Sequence, residues 1–243
     1  MSTFQEFSET NRSRNWSDII SHAFDLYKGI FLYGILAMII YFGVSMVLQP
    51  VTGFSSQTLS DEIISADGDF GDIDVWSVPG FRLYYGLSGI LSLLLAPLYV
   101  GILYLANRYH YNQPLRVNDL FIGYHQNFVN IVIYTLISTV IMAISFALCF
   151  LPAFFVMPLF LLGYPILLFE NASFTDAISK SFKIAKDNYG TFLLVSFIGF
   201  LISIAGILLC GIGVIASFPF YMTVMYAAYC AFCGAPRQLG LNA

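Results

Sequence analysis

The chain has 243 residues, 58% of them apolar and only 10% charged, with a formal net charge of −4. Soluble domains carry roughly 45–50% apolar and about 25% charged residues, so the composition excludes an ordinary soluble domain. The acidic balance also gives no electrostatic case for a nucleic-acid partner.

The chain opens on a polar segment with Arg12, Arg14 and Lys28, and no short apolar stretch with a small-residue cleavage site follows. The first apolar run is therefore expected to stay as an anchor rather than to leave as a signal peptide. Within Asn15–Lys28, Trp16, Ile19, Ile20, Ala23, Phe24 and Tyr27 share one face at helical spacing, opposite Asp18, His22, Asp25 and Lys28. Asn15 is placed to cap, with Asp18 near the positive helix end. The pattern predicts an amphipathic helix lying in the membrane interface.

Bilayer hydrocarbon is matched by about 20 apolar residues, and a charge at its centre is costly. Gly29–Leu48, Leu83–Ala106, Phe128–Phe169 and Gly190–Gly234 contain no Lys, Arg or Asp, and Glu170 sits just outside the third. The first two runs are one span each. The third is too long for one span and breaks naturally at Cys149-Phe150-Leu151-Pro152, because proline lacks the helix donor and disfavours helix before it. The fourth breaks at Cys210-Gly211-Ile212-Gly213. Six spans result, the last four as tight hairpins.

Three repeats emerge. Asn15–Lys28 aligns without gaps on Ser173–Lys186, matching Asp18 with Asp176, Ile20 with Ile178, Ser21 with Ser179, Phe24 with Phe182 and Lys28 with Lys186. A fainter copy begins at Val117-Asn118-Asp119. The second spans of the outer units share P-x-Y-x4-Y-x-A, as Pro97–Ala106 and Pro219–Ala228. The expected fold is thus all-α: a polytopic bundle of six transmembrane helices, one integral membrane domain over residues 1–243. Its repeats of interfacial helix plus hairpin cover about 15–107, 116–170 and 173–234.

Of the 10 Lys and Arg residues, all but Arg82 fall on one side of such a bundle. The positive-inside rule then places both termini in the cytoplasm. The loop 49–82 lies outside, with Asp61, Glu62, Asp67, Asp69, Asp72 and Asp74. Its run Asp67–Asp74 misses the EF-hand register, so a solvated acidic loop is expected. Trp76, Phe81, Tyr84 and Tyr85 read as an aromatic belt where the chain returns to the membrane.

Leu151-Pro152, Pro165-Ile-Leu-Leu-Phe-Glu170 and Ser173-Phe-Thr-Asp-Ala-Ile-Ser-Lys-Ser-Phe-Lys183 carry a family resemblance. The chain resembles the uncharacterised bacterial six-span proteins related to YciC and to the membrane domain fused to some glycerophosphodiester phosphodiesterases. The resemblance implies a fold and no catalytic residues. A carotene-oxygenase label borne by some such proteins is contradicted here, since those enzymes hold iron with four histidines and this chain has His22, His110 and His125 alone.

No spacing such as HExxH links these histidines, and His22 occupies the slot of Lys180 in the repeat, which favours a polar surface role. Cys230-Ala-Phe-Cys233 is formally a CxxC, but at the end of an apolar span it reads as packing rather than a redox pair. Cys149 and Cys210 fall near outer span ends, as a pair of buried thiols or, if spans three and five adjoin, a disulfide. Serines in the spans lack a His or Lys base, and ionisable residues that mark proton or ion coupling are missing from them.

The expectation is a non-enzymatic protein of the bacterial inner membrane, without catalytic, cofactor or metal sites, acting on lipids or in membrane assembly. The alternative is a carrier or channel for a neutral or lipophilic solute. Lys28, Lys180, Lys183 and Lys186 are the candidate contacts to anionic lipid, and Pro97, Pro158, Pro165 and Pro219 the candidate helix breaks lining a cavity. Expected partners are membrane lipids and a possible protein in the membrane, with no nucleic acid.

Overall fold

A computed structural model describes residues 4–8, 14–65, 76–148, 151–208 and 213–238. The protein is an all-α membrane bundle with six helices long and apolar enough to cross a bilayer. In chain order these are α1 (Trp16–Thr52), α3 (Phe81–His110), α5 (Phe128–Ala147), the broken span Leu151–Phe169, the span Tyr189–Leu208, and the span Gly213–Phe232. The fourth consists of α6 (Leu151–Val156), a 3-10 turn Met157–Phe160 and α7 (Gly163–Phe169). The fifth is α9 (Tyr189–Ile204) plus a 3-10 turn Ala205–Leu208, and the sixth is α10 (Gly213–Ser217) followed by α11 (Phe220–Phe232). Outside the spans lie α2 (Ser56–Ser65), a 3-10 turn Val117–Phe121 leading into α4 (Ile122–His125), and α8 (Phe174–Asp187).

Two compact units make up the chain, residues 1–38 with 96–243, and residues 39–95. In the smaller unit, Phe54 is buried against Tyr84, stacked at 4.5 Å, and meets Phe81 and Tyr85 edge-on. The rings of the expected aromatic belt touch one another and Phe54, and Trp76 and Tyr85 stay exposed. Gly80 holds a φ of +74 against the Thr52 carbonyl, a position that tolerates no side chain. The short helix α2 within the outer loop was not expected.

In the larger unit the second helix of each hairpin forms the centre. Burial reaches 56%, 61% and 67% of the apolar window in the second, fourth and sixth spans, against 22%, 17% and 33% in the first, third and fifth. Within the fourth and sixth, α7 and α11 are buried along nearly their whole length. Close approach depends on glycine: a Cβ on Gly101 would overlap the Leu120 backbone, and one on Gly123 would meet the Pro97 carbonyl.

The repeat is uneven. Ser173 caps α8, accepting from the Asp176 N–H at 3.2 Å, as its position predicts. Asn188, at φ −130 and ψ 33, separates α8 from α9. The first copy needs correction: Asn15–Lys28 supplies the opening turns of α1, which passes through Gly29 without interruption. No residue there breaks the ladder, and Gly29 serves packing instead, since a Cβ would overlap the Tyr109 ring. The middle copy is a 3-10 turn and a four-residue helix, ended by Asn127 at φ 57.

The strand β1 (Phe4–Ser8) pairs antiparallel with β2 (Ala235–Gln238), with Ser8 opposite Ala235. No sequence pattern points to this ribbon. An even number of spans brings the two ends together.

Candidate functional site

The amphipathic helix α8 packs on protein. Ala177, Ser181 and Ala185 form its buried stripe, and Phe182 meets Phe160 edge-on at 5.0 Å. Ser181, fully buried, donates to the Leu159 carbonyl at 2.6 Å and accepts from the Leu162 N–H at 3.3 Å. Those groups lie where Pro158 and the 3-10 turn break the fourth span, and backbone groups freed in an apolar interior must find partners. One hydroxyl from α8 therefore caps the break. The Asn127 amide donates to the carbonyls of Leu167 and Ala172 at 2.9 and 2.8 Å, and the Gln126 amide donates to Leu168 O at 2.8 Å, tying the same segment to the start of α5.

The lysines divide. Lys180 grips both Glu170 carboxylate oxygens at 2.7 Å, and the Tyr229 hydroxyl donates to Glu170 Oε1 at 2.9 Å. It is a bracket between α8, the end of α7 and α11 rather than a free headgroup contact. Lys28 sits 3.3 Å from Asp25 on an exposed face. Lys183 and Lys186 are exposed and make no ion pair among the described residues.

A second polar cluster sits where α3 ends. Asn107 donates to the Tyr226 hydroxyl at 3.0 Å and to the Pro236 carbonyl at 2.7 Å, and His110 Nδ1 lies 3.0 Å from that same hydroxyl. Tyr111 donates to Ala235 O at 3.0 Å, so the cluster anchors β2. Nearby, Arg108 and Asp119 form a largely buried ion pair at 3.2 Å. His110 faces His22 edge-on at 5.5 Å. His22 also lines a cavity of about 290 Å³ with Asp18, Ser21 and Asp25. Asp18 and Asp25 are two helical turns apart, about 10 Å, and no group of three metal-binding side chains converges among the described residues.

Cys230 and Cys233 carry free thiols. Burial pushes the Cys233 thiol up to about 11, with Glu170 adding to the shift and Lys180 and Arg14 opposing it. The group is protonated at neutral pH, a poor nucleophile for redox exchange. Cys149, Cys210 and the acids Asp67–Asp74 lie outside the described residues.

Two apolar cavities lie among the spanning helices. One, of about 310 Å³, is walled by Phe24, Tyr27 and Phe220 on the aromatic side and by Ala205, Gly206, Gly213, Ala216 and Ser217 on the small-residue side, with Ile202. Its polar groups are spent internally. Tyr27 donates to Ala216 O, and Ser217 donates to Ser203 O at 2.5 Å while accepting from Gly206 N at 3.2 Å. The other, of about 180 Å³, is lined by Tyr134, Tyr164, Tyr221, Phe160, Ser138 and three methionines, Met142, Met157 and Met225. None of the four prolines lines either cavity, but Pro158, Pro165 and Pro219 are chain neighbours of Met157, Tyr164 and Phe220, which do. Pro97 sits within the unbroken α3.

Neither a family model, nor a curated protein, nor a solved structure matches the chain.

Proposed function

We propose that this integral membrane protein acts without catalysis by holding membrane lipid, an acyl chain occupying the groove between the first, fifth and sixth spans. The observation that carries the reading is that groove: about 310 Å³, with Tyr27 and Ser217 both hydrogen-bonded within the protein. A site without a spare polar group selects an apolar occupant. The exposed Lys183 and Lys186 on α8 supply a separate surface for anionic headgroups, worth roughly 1 kcal/mol per charge near the membrane. The excess of Lys and Arg on one side supports a bacterial inner-membrane setting with both termini cytoplasmic, in keeping with the β1–β2 pairing.

A carrier for a neutral solute is the second reading, favoured by the interruptions of the fourth and sixth spans. One experiment separates them. Protein purified in mild detergent is analysed by native mass spectrometry beside Ala205→Phe and Ala216→Phe variants, which fill the groove. Retained phospholipid that falls at least fivefold in both variants supports lipid holding. Equal retention in all three removes the groove from the account.

A further inference from the structure

The smaller cavity shows an imbalance of hydroxyl protons. Tyr134 donates to Phe160 O at 2.8 Å, and a Cβ on Gly163 would overlap its ring, so this phenol is fixed. Ser138 donates to Thr135 O at 3.1 Å. Thr135 donates to Ile131 O at 2.7 Å, so in its 2.9 Å contact with Tyr164 the phenol is the donor. Three hydroxyls lining the cavity have thereby committed their protons to protein acceptors and offer only oxygen lone pairs.

Tyr221 differs. Its hydroxyl neighbours Ser196, yet no hydrogen bond of ordinary geometry closes there, and the Ser196 Oγ, on a residue 1% exposed, has no partner among the described residues. With Ser196 the donor toward Tyr221, the Tyr221 proton meets no acceptor of ordinary geometry among the described residues, and Tyr221 is the member facing the cavity. An unmet hydroxyl in an apolar interior is costly enough to call for a partner. The surrounding wall is aromatic and thioether, which adapts to flat ligands. A volume near 180 Å³ compares with the roughly 150 Å³ in which an apolar protein cavity holds one benzene.

We infer that this cavity is a binding site for a small lipophilic molecule bearing a hydroxyl on one ring, a phenol in chemical class. The ligand hydroxyl accepts from Tyr221 and donates to the lone pairs of Tyr164, Tyr134 or Ser138. A ring ether or a quinone carbonyl satisfies only the first half of that exchange and leaves the acceptor wall unmatched. The site is distinct from the acyl groove and stands or falls separately from it.

The test is ligand-observed fluorine NMR on the full chain in lipid nanodiscs, with empty nanodiscs setting the baseline for membrane partitioning. The probes are 4-fluorophenol and 4-fluoroanisole. The phenol should show a saturable bound population above baseline, and the anisole at least tenfold weaker binding, the loss expected of one hydrogen bond. Tyr221→Phe, nearly isosteric, should reduce phenol binding about tenfold and weaken the residual anisole binding as well, since both probe oxygens accept from Tyr221, with the melting temperature showing that the variant is folded. Ser138→Ala, which removes an acceptor, should give a smaller loss in the phenol alone. No saturable excess for the phenol overturns the inference, since water alone then satisfies Tyr221. Equal binding of the two probes, or a folded Tyr221→Phe protein that binds phenol like the parent, overturns it too.

Discussion

Removing the Ser181 hydroxyl is the sharpest probe of how α8 is held. In Ser181→Ala the Leu159 carbonyl loses a donor at 2.6 Å and the Leu162 N–H an acceptor at 3.3 Å, both at the break in the fourth span. An orphaned buried polar group costs about 1–3 kcal/mol, but hydrogen bonds between helices in membranes average nearer 0.6 kcal/mol, with a maximum of about 1.7. The N–H contact is long, so the carbonyl dominates, and the expected loss is about 1–2 kcal/mol. Because Ser181 is completely buried, water cannot step in without opening the α8 contact. The assay is reversible unfolding in mixed micelles by SDS titration, with Ser179→Ala, at an exposed position two residues away, as the control. The control should lie within about 0.5 kcal/mol of the parent. If Ser181→Ala also lies within that margin, the hydroxyl does not cap the broken span and the bracket reasoning fails.

Gly101→Ala should destabilise by about 1–3 kcal/mol or prevent folding, because its methyl group meets the Leu120 backbone rather than a movable side chain; expression and melting temperature check this. Reversing either charge in Glu170→Lys or Lys180→Glu should raise the rate of proteolysis within α8, and the double exchange should recover part of the protection. In a variant whose sole thiol is Cys233, alkylation should be slow at pH 7 and climb about tenfold per pH unit until near pH 11, since the raised value leaves the neutral thiol dominant below it; a plateau by pH 9 contradicts the burial argument. Introducing Ser8→Cys and Ala235→Cys into a cysteine-free background should allow oxidative joining of the two ends, which face each other across the ribbon; failure to crosslink argues against that register.

The spans and their breaks were legible because bilayer thickness and the cost of charge act on composition alone, and Pro152 and the Cys210–Gly213 run are local signals. The cap at Ser173 was legible for the same local reason. Aligning Ser173–Lys186 on Asn15–Lys28 carries an amphipathic pattern to α8 but gives Ser181 no role, since a serine there is indistinguishable from a packing residue until the broken span is seen above it. Nor can a repeat alignment show whether Lys28-Gly29 interrupts a helix. Asn188, one residue past the position equivalent to Gly29, ends α8, while α1 runs through Gly29 with the Tyr109 ring packed against it. Lys180 was misread as a headgroup contact because its partner Glu170, 10 residues away, becomes adjacent only when α8 folds back. Asn127 and Gln126 carried a usable signal: polar amides directly before an apolar run, where carbonyls at the end of a neighbouring span need donors.

Lipid holding in the groove is tested most directly by reconstituting the protein with a phospholipid that carries a photoreactive diazirine in its acyl chain, then mapping the labelled peptides after irradiation. The account predicts label concentrated on Phe24–Tyr27, Ile202–Gly206 and Gly213–Phe220. It should exceed severalfold that on Leu136 and Val140 of α5, which are exposed apolar residues outside the groove. Ala216→Phe should bring the groove peptides down to the α5 level. Labelling that simply follows exposure, equal on α5 and on the groove and unchanged by Ala216→Phe, contradicts the account.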